Sequence, residues 1–363
     1  MLKEKLGSAF QALQTSAPPL IGVDISSSAL KLVELSEAGK GAYRLERYAI
    51  EPLTKDLVTD GNITNLDQVS DALRRGHKRL GSRNRNIAMA LPAAMVITKK
   101  IIVPAGQTEE ELELQVEVEA NQYIPFALDE VNLDFQILGP APNNPDEVEV
   151  LIAASRKEKV EDRVAVAEAA GLKPRVMDVE SYATEEAFTM IAPSLPANGR
   201  DQNIALVDIG AHVMHFYVLR NNQILFSRDQ AFGGNQLTHE IQRAFNLSPE
   251  EAESAKRNAG LPENYDADVL QPFMETLALE ITRALQFFFT STSYSQIDQV
   301  VLAGGCALLP GLDELVGKRA GVNAMVGNPF ASMSVSDRIR PRQLAVDAPL
   351  LLIACGLAMR SFD

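Results

Sequence analysis

The chain has 363 residues and a formal net charge of −14 at pH 7, and its hydrophobic and charged fractions, 46% and 23%, are ordinary for a globular protein. This length favours two or more lobes over a single small core. The acidic residues are spread along the chain, which argues against nucleic-acid binding, because that requires clustered lysine and arginine to neutralise phosphates.

Residues 1–19 are predicted to form an N-terminal arm and linker. Residues 1–14 have a weak helical spacing of apolar side chains, and a Thr/Ser/Pro-rich stretch follows them. The segment lacks the long apolar core of a signal peptide. No stretch reaches the roughly 20 apolar residues of a membrane span, since the longest candidate, residues 348–359, is too short. The two cysteines, Cys306 and Cys355, lie among small and apolar residues and imply no disulfide framework, so a reducing compartment is expected.

The first lobe is predicted to open with a three-stranded meander. An apolar strand at residues 20–24 ends in an aspartate, and a tight polar turn of serines follows at residues 26–28. Strands at residues 29–35 and 43–50 continue the meander, and residues 65–80 have the apolar spacing of a helix.

A second block, residues 86–171, predicts a small separate subdomain with the order strand-strand-helix-strand-strand-helix. Thr108 and Glu111 form a capping box for its first helix. Ser155 is predicted to cap its second helix, which runs to Ala170.

The opening meander is repeated later in the chain. An apolar strand ends in Asp208, a tight turn containing Gly210 follows, and residues 212–220 and 223–232 continue as a hairpin. The order matches the segment that ends in Asp24. Two such copies indicate duplicated lobes, which leave a cleft between them.

The two strand ends together predict one anion site. A carboxylate followed by a turn of small residues presents backbone N–H groups to an anion, and the carboxylate can organise a hydrated divalent cation on that anion. Asp24 and Asp208 are therefore expected to grip one phosphate chain from opposite sides. Gly210 allows close backbone approach. Lys31 either neutralises phosphate charge or is an exposed strand lysine.

Two further features leave alternatives open. Gly304 and Gly305 follow a buried strand, where they either let a planar base or ribose lie against bare backbone or form a plain strand-to-helix turn. His212 and His215 have zinc-like spacing. Residues three apart on a strand point to opposite faces, however, so a zinc site is not favoured.

These segments together resemble a known superfamily. The matching stretches are residues 22–31 and 207–211 (two phosphate motifs), 178–183 and 353–358 (two connecting helices), 301–305 (the adenosine motif), 233–238 and 250–256. The chain resembles the actin-like ATPases and, within them, the PilM family of type IV pilus assembly proteins, relatives of the cell-division protein FtsA. The resemblance covers nearly the whole chain.

The resemblance implies an α/β fold of the actin-like ATPase type, with ribonuclease H-like duplicated lobes and an FtsA-like inserted subdomain. The implied division of the chain is an arm and linker at 1–19, a first lobe at 20–85 and 172–200, an inserted subdomain at 86–171, and a second lobe at 201–363.

The resemblance also implies a site for ATP and Mg²⁺. Asp24 and Asp208 would face the hydrated magnesium, and Glu180 would lie near the attacking water. Glu180 and Asp208 are the implied catalytic residues. The residues implied to hold the nucleotide are Asp24, Ser26, Ser27, Ser28, Lys31, Asp208, Gly210, Gly233, Gly234, Glu253, Lys256, Gly304 and Gly305. His212 and His215 stand where relatives usually carry threonine, so weak or no intrinsic ATPase activity is expected.

The implied function is that of an ATP-binding cytoplasmic component of the pilus assembly platform at the inner membrane. Its implied partner is the cytosolic N-terminal tail of a PilN-like membrane protein, bound in a groove beside residues 86–171. Pilus motor ATPases and a second copy of the chain are further implied partners, and contact with the membrane would pass through partners. Two alternatives stay open: an FtsA-like filament-forming protein, and a small-molecule kinase of the same superfamily.

Overall fold

A computed structural model describes residues 19–39, 41–142, 144–258 and 260–362; the arm predicted at residues 1–18 lies outside them. The strands are β1 (Ile21–Ile25), β2 (Ala29–Gly39), β3 (Ala42–Pro52), β4 (Val58–Thr59), β5 (Asn62–Ile63), β6 (Asn86–Leu91), β7 (Ile97–Pro104), β8 (Val131–Ala141), β9 (Asn144–Arg156), β10 (Lys173–Val179), β11 (Ile204–Ile209), β12 (Met214–Arg220), β13 (Gln223–Gln230), β14 (Gln299–Gly304), β15 (Asn323–Val326) and β16 (Ser334–Val335). The helices are α1 (Leu66–Leu80), α2 (Glu109–Tyr123), α3 (Lys157–Ala169), α4 (Glu180–Ile191), α5 (Gly234–Phe245), α6 (Pro249–Asn258), α7 (Gln271–Ser291), α8 (Leu312–Ala320), α9 (Pro341–Asp347) and α10 (Leu352–Met359).

The first lobe is built on a six-stranded sheet with the order β10-β6-β1-β2-β3-β16. The apolar strand β1 is central and fully buried, with β2 antiparallel on one side and β6 parallel on the other. Helix α1 covers this sheet with Val69, Leu73 and Leu80, whose helical spacing places them on one buried face.

The second lobe repeats this arrangement in a five-stranded sheet with the order β13-β12-β11-β14-β15. Strand β11 is central, antiparallel to β12 and parallel to β14, as β1 is to β2 and β6. Helix α7 packs on the sheet with an apolar stripe that includes Leu277, Ile281 and Phe288. The α/β fold with duplicated lobes is therefore confirmed.

A separate three-stranded sheet, β7-β9-β8, forms the inserted unit with α2. This unit has its own core, in which Val116 of α2 packs against Val150 and Ile152 of β9. The capping box of Thr108 and Glu111 begins α2 as predicted.

The contacts of β6 and α3 bear on the bounds of this unit. Strand β6 pairs with β1 and β10 in the first lobe, and α3 packs against α1. The predicted Ser155 cap is wrong, because its hydroxyl donates to the carbonyl of Met95 (2.9 Å) and α3 begins two residues later. We therefore propose residues 93–156 as the inserted unit.

The C-terminal segment also crosses the predicted boundary at residue 201. Strand β16 pairs with β3, and α10 packs against β1, so we propose that residues 334–362 belong to the first lobe. Within the described residues, the helical run Pro341–Met359 is long and apolar enough to span a membrane, but 67% of its most apolar window is buried inside the protein. That burial is typical of a core helix.

Candidate functional site

A cavity of about 1560 Å³ lies between the two lobes, and the predicted site residues of both lobes line it, with the exception of Gly233. Gly233 is buried beneath the second turn, where a Cβ atom would press against the carbonyl oxygens of Gly210 and Ala211. Gly233 therefore packs against the backbone of the turn that contains Gly210, on the side away from the cavity lining.

In the first lobe, Asp24 and Lys31 form a buried ion pair. They are direct partners across β1 and β2, and Nζ of Lys31 donates to Oδ2 of Asp24 (2.7 Å) and to Oγ of Ser26 (3.2 Å). Only 14% of the Lys31 side chain and 2% of the Asp24 side chain are exposed. Burial opposes the charge on Lys31, but Asp24 outweighs it and raises the pKa of the ammonium. Lys31 is thus a fixed cation of the cavity wall, not an exposed strand lysine.

The turns after the two aspartates present open backbone donors to the cavity. Ser26 closes its turn by donating its N–H to the carbonyl of Ala29. Among the described residues, the amides of Ser27 and Ser28 make no backbone hydrogen bond, and neither do those of Ala211 and His212 in the second turn. Paired amides of this kind form concavities that bind anions.

In the second lobe, His215 pairs with Asp208. The two are direct partners across β11 and β12, with the same seven-residue spacing as Asp24 and Lys31. Burial opposes the charge on the imidazole, but the hydrogen bond and charge of Asp229, with the charges of Asp208 and Glu180, raise the pKa of His215 to about 9.

The sequence interpretation of the two histidines was wrong in its geometry. His212 lies in the turn before β12, so strand alternation does not apply to it, and both His212 and His215 line the cavity. Sequence reasoning missed His215 and Asp229 as site residues. The seven-residue spacing, which repeats that of Lys31 after Asp24, could have identified His215.

Gly304 at the end of β14 makes room for the carboxylate of Asp208. Its φ is +83°, and a Cβ atom there would collide with Oδ1 of Asp208 and with the carbonyl of Ile209. Removal from water raises the pKa of Asp208, and the charges of His215 and Lys31 oppose that rise. Asp208 is therefore packed tightly against Gly304, and the charges of His215 and Lys31 favour its ionised form.

Residues of α5, α6 and the loop after β14 also line the cavity. Thr238 of α5 donates its hydroxyl hydrogen to Oε2 of Glu253 (2.8 Å) and accepts from Nζ of Lys256 (2.7 Å). Cys306 and Leu309 add small and apolar surface beside this polar cluster. A polar rim next to an apolar wall suits a planar, heteroatom-rich group.

Glu180 is the first residue of α4 and lies in the wall of the cavity. Removal from water, followed by the charge of Asp24, raises its pKa to about 7, despite the opposing charges of His215, Arg163 and Lys31. A carboxyl group with this pKa can take up or release a proton near neutral pH.

Carboxylates in the described part of the chain do not build a complete metal site, since no cluster of three or more potential ligands occurs there. Asp24 and Asp208 do line one cavity from opposite lobes. Magnesium commonly keeps several waters and uses one or two carboxylates together with substrate phosphates, and this donor set fits that pattern.

Comparisons with known proteins agree with this architecture. The family model described as "Type IV pilus assembly protein PilM" matches residues 22–362. The chain is also similar to a solved structure described as "PilM-PilN type IV pilus biogenesis complex". The sequences are 31% identical, the match covers 96% of this chain and 99% of that chain, and the TM-score is 0.79.

Two more distant relatives add to the picture of the fold. The ethanolamine utilization protein EutJ from Carboxydothermus hydrogenoformans is 18% identical over 98% of each chain, with a TM-score of 0.57. The cell division protein FtsA of Bacillus subtilis (strain 168) is 25% identical over 250 residues, which are 66% of this chain and 52% of FtsA. The chain thus spans about half the length of that curated relative. The match to the family model over nearly the whole sequence shows that this chain belongs to the PilM family of type IV pilus assembly proteins, with an actin-like ATPase fold.

Proposed function

We propose that this chain binds ATP with Mg²⁺ in the cleft between its lobes. The observation that carries the proposal is the paired arrangement of Asp24 with Lys31 and Asp208 with His215 around one cavity. Each strand end is followed by a turn with open amides, which suits a phosphate chain. The cluster of Thr238, Glu253 and Lys256 would hold the adenosine.

The charges in the cavity wall support a requirement for a divalent cation. Four carboxylates, those of Asp24, Glu180, Asp208 and Asp229, line the cavity close to the cations Lys31 and His215. A bare triphosphate bound beside these carboxylates would meet strong repulsion. Asp24 and Asp208 would hold the water shell of Mg²⁺, which would supply the missing positive charge. Glu180 would exchange a proton with nearby water.

Isothermal titration calorimetry with ATP, in Mg²⁺ and in EDTA, tests this site. The wild-type chain should bind ATP more tightly with Mg²⁺, and Asp24→Asn and Asp208→Asn should each lose most of that gain. Asp134→Asn, an exposed aspartate of the inserted unit, is the matched control. If folded Asp24→Asn and Asp208→Asn proteins bind ATP with unchanged affinity, the proposed ATP site is wrong.

We also propose that the chain works at the cytoplasmic side of the inner membrane by binding the cytosolic tail of a PilN-like protein. The similarity to a PilM-PilN complex supports this partner. The inserted unit carries seven of the 13 exposed large apolar side chains found in the described residues: Ile102, Leu114, Val118, Tyr123, Phe126, Ile137 and Leu138. Leu114 and Val118 lie one turn apart on α2 beside exposed glutamates, so they suit a basic, partly apolar tail.

Nucleotide would affect this partner only if ATP favours the lobe arrangement that binds the tail better. A fluorescent peptide with the tail sequence of a PilN-like protein should bind with different affinity in the presence and absence of Mg-ATP. The double variant Leu114→Ser/Val118→Ser should no longer bind the peptide, and its affinity for ATP should be unchanged. Leu279→Ser, an exposed leucine of α7, is the control. Equal peptide affinity for the double variant and the wild type would rule out this face.

A further inference from the structure

Arg163 of α3 is a charged side chain in the interior of the protein, with only 1% of its surface exposed. In the described part of the chain it forms no ion pair. Its guanidinium donates instead to main-chain carbonyl oxygens, from Nε to Ala90 (2.9 Å) and from Nη2 to Gly61 (3.0 Å). Burying a charge without a counter-ion costs free energy, so these hydrogen bonds must offset that cost.

The two carbonyls belong to segments that meet where the inserted unit joins the first lobe. Ala90 lies at the end of β6, just before the proposed start of the unit at residue 93, and α3 begins directly after the unit ends at residue 156. Gly61 lies in the turn between β4 and β5. One planar guanidinium thus connects the strand that enters the unit, the helix that leaves it and the β4–β5 turn.

The β4–β5 turn lies between the cavity and the inserted unit. Asp60 and Gly61 line the cavity. Gly61 also packs against the start of the unit, since a Cβ atom there would lie 2.6 Å from Cγ of Pro92 and 3.1 Å from Cε of Met95. The carbonyl of Met95 accepts from the hydroxyl of Ser155 at the other end of the unit (2.9 Å). Contacts therefore run continuously from the cavity wall to both chain connections of the unit.

We propose that Arg163 is a positioning residue that transmits occupancy of the cavity to the inserted unit through the β4–β5 turn. The inference rests on the proposed function, because a ligand in the cleft must first favour one position of the turn. Arg163 does not itself line the cavity. It holds Gly61 to Ala90, so a displacement of the turn reaches β6 and α3, the two elements between which the unit is inserted. This link gives nucleotide a physical connection to a partner bound on the unit.

Hydrogen–deuterium exchange followed by mass spectrometry, on the full chain with and without saturating Mg-ATP, tests this link. In the wild type, Mg-ATP should slow amide exchange in residues 56–64 and in β7 and β9, because a fixed turn restrains both chain connections of the unit. Arg163→Met should keep the slowing in residues 56–64 and lose most of it in β7 and β9. Its ATP affinity by calorimetry should stay within about threefold of the wild type.

Three further variants separate the link from charge and from packing. Arg163→Lys keeps the charge without the planar fork, so it should behave as Arg163→Met does. Met95→Ala removes the contact with Gly61, leaves Arg163 in place and should also lose most of the slowing in β7 and β9. Val166→Ala perturbs the buried core packing of α3 away from the link and should respond as the wild type does.

The outcomes distinguish the link from the proposed function. If the wild type binds Mg-ATP but shows no slowing in β7 and β9, or if the Arg163 variants and Met95→Ala keep it in full, the link is overturned and the cleft site stands. Full slowing in Arg163→Lys, or its loss in Val166→Ala, would also overturn the bridging role of Arg163. If the Arg163 variants do not fold, Met95→Ala decides. If the wild type does not bind Mg-ATP, the proposed function falls and the link falls with it.

Discussion

Gly356 of α10 lies directly against Ala183 of α4, so closely that a Cβ atom on Gly356 would overlap the Ala183 carbonyl. On the other side of α10, Gly22 of β1 packs against the backbone of Ala354 and Ala358. The two helices that were predicted to connect the lobes therefore cross with backbone in contact. Because α10 also packs against β1, this crossing helps to fix the strand that carries Asp24.

Gly356→Ala should destabilise the protein by about 1–3 kcal/mol, because the added methyl group must push the two helices apart. Chemical denaturation followed by circular dichroism measures the change. Gly260→Ala is the control, since a Cβ atom there has no neighbour within 4 Å. Equal midpoints for Gly356→Ala and the control would show that the helix crossing tolerates a side chain.

Gly304→Ala should weaken ATP binding in Mg²⁺ while the overall fold is retained. The new methyl group would displace the carboxylate of Asp208, and the φ of +83° adds strain that L side chains rarely tolerate. Gly106→Ala isolates the backbone effect, since Gly106 has a φ of +79° and open space around its Cβ position. Calorimetry should show a loss of at least about tenfold for Gly304→Ala and no loss for Gly106→Ala. If Gly304→Ala and Gly106→Ala bind ATP with comparable affinity, Asp208 does not contribute to ATP binding.

Lys31→Met should lower the free energy of unfolding by about 3 kcal/mol, because it leaves the buried carboxylate of Asp24 without its cation. The double variant Asp24→Asn/Lys31→Met should recover most of that loss and still fail to bind ATP. Urea denaturation and calorimetry on the same samples give the two readouts. Lys173→Met, at an exposed position of β10, serves as the comparison. A double variant as unstable as the single one would mean that the unpaired charge of Asp24 is not the cause of the lost stability.

Glu180→Gln should stabilise the protein at pH 8 and lose that advantage near pH 4.5. The pKa of Glu180 rises from an ordinary 4.5 to about 7 on folding, so folding opposes its ionisation. The cost is absent below pH 4.5, grows as the pH rises to 7, and is complete above that pH. The expected gain at pH 8 is on the order of 2 kcal/mol. Thermal unfolding at both pH values measures it, with Glu117→Gln on the exposed face of α2 as the control. A gain that does not depend on pH would show that ionisation of Glu180 is not its cause.

Local patterns in the sequence determined the duplicated meanders and the strand-end aspartates. Alternating apolar strands that end in Asp24 and Asp208 form through short-range pairing and burial, so their existence follows from the chain itself. The capping box of α2 is likewise a local motif and formed as predicted. The repetition of the meander in two lobes also predicts that Asp24 and Asp208 line one cleft. Both residues do line the cavity.

Only the tertiary structure decided which elements join which sheet and which side chains meet. Strands β6 and β16 pair with partners far away in sequence, and for that reason we propose that both belong to the first lobe. His215 becomes a cation of the cavity because β12 and β13 bring it beside Asp208 and Asp229, and Lys31 is buried because Asp24 lies opposite it. Charge and burial at these positions depend on cross-strand neighbours, which residue type and spacing do not specify on their own.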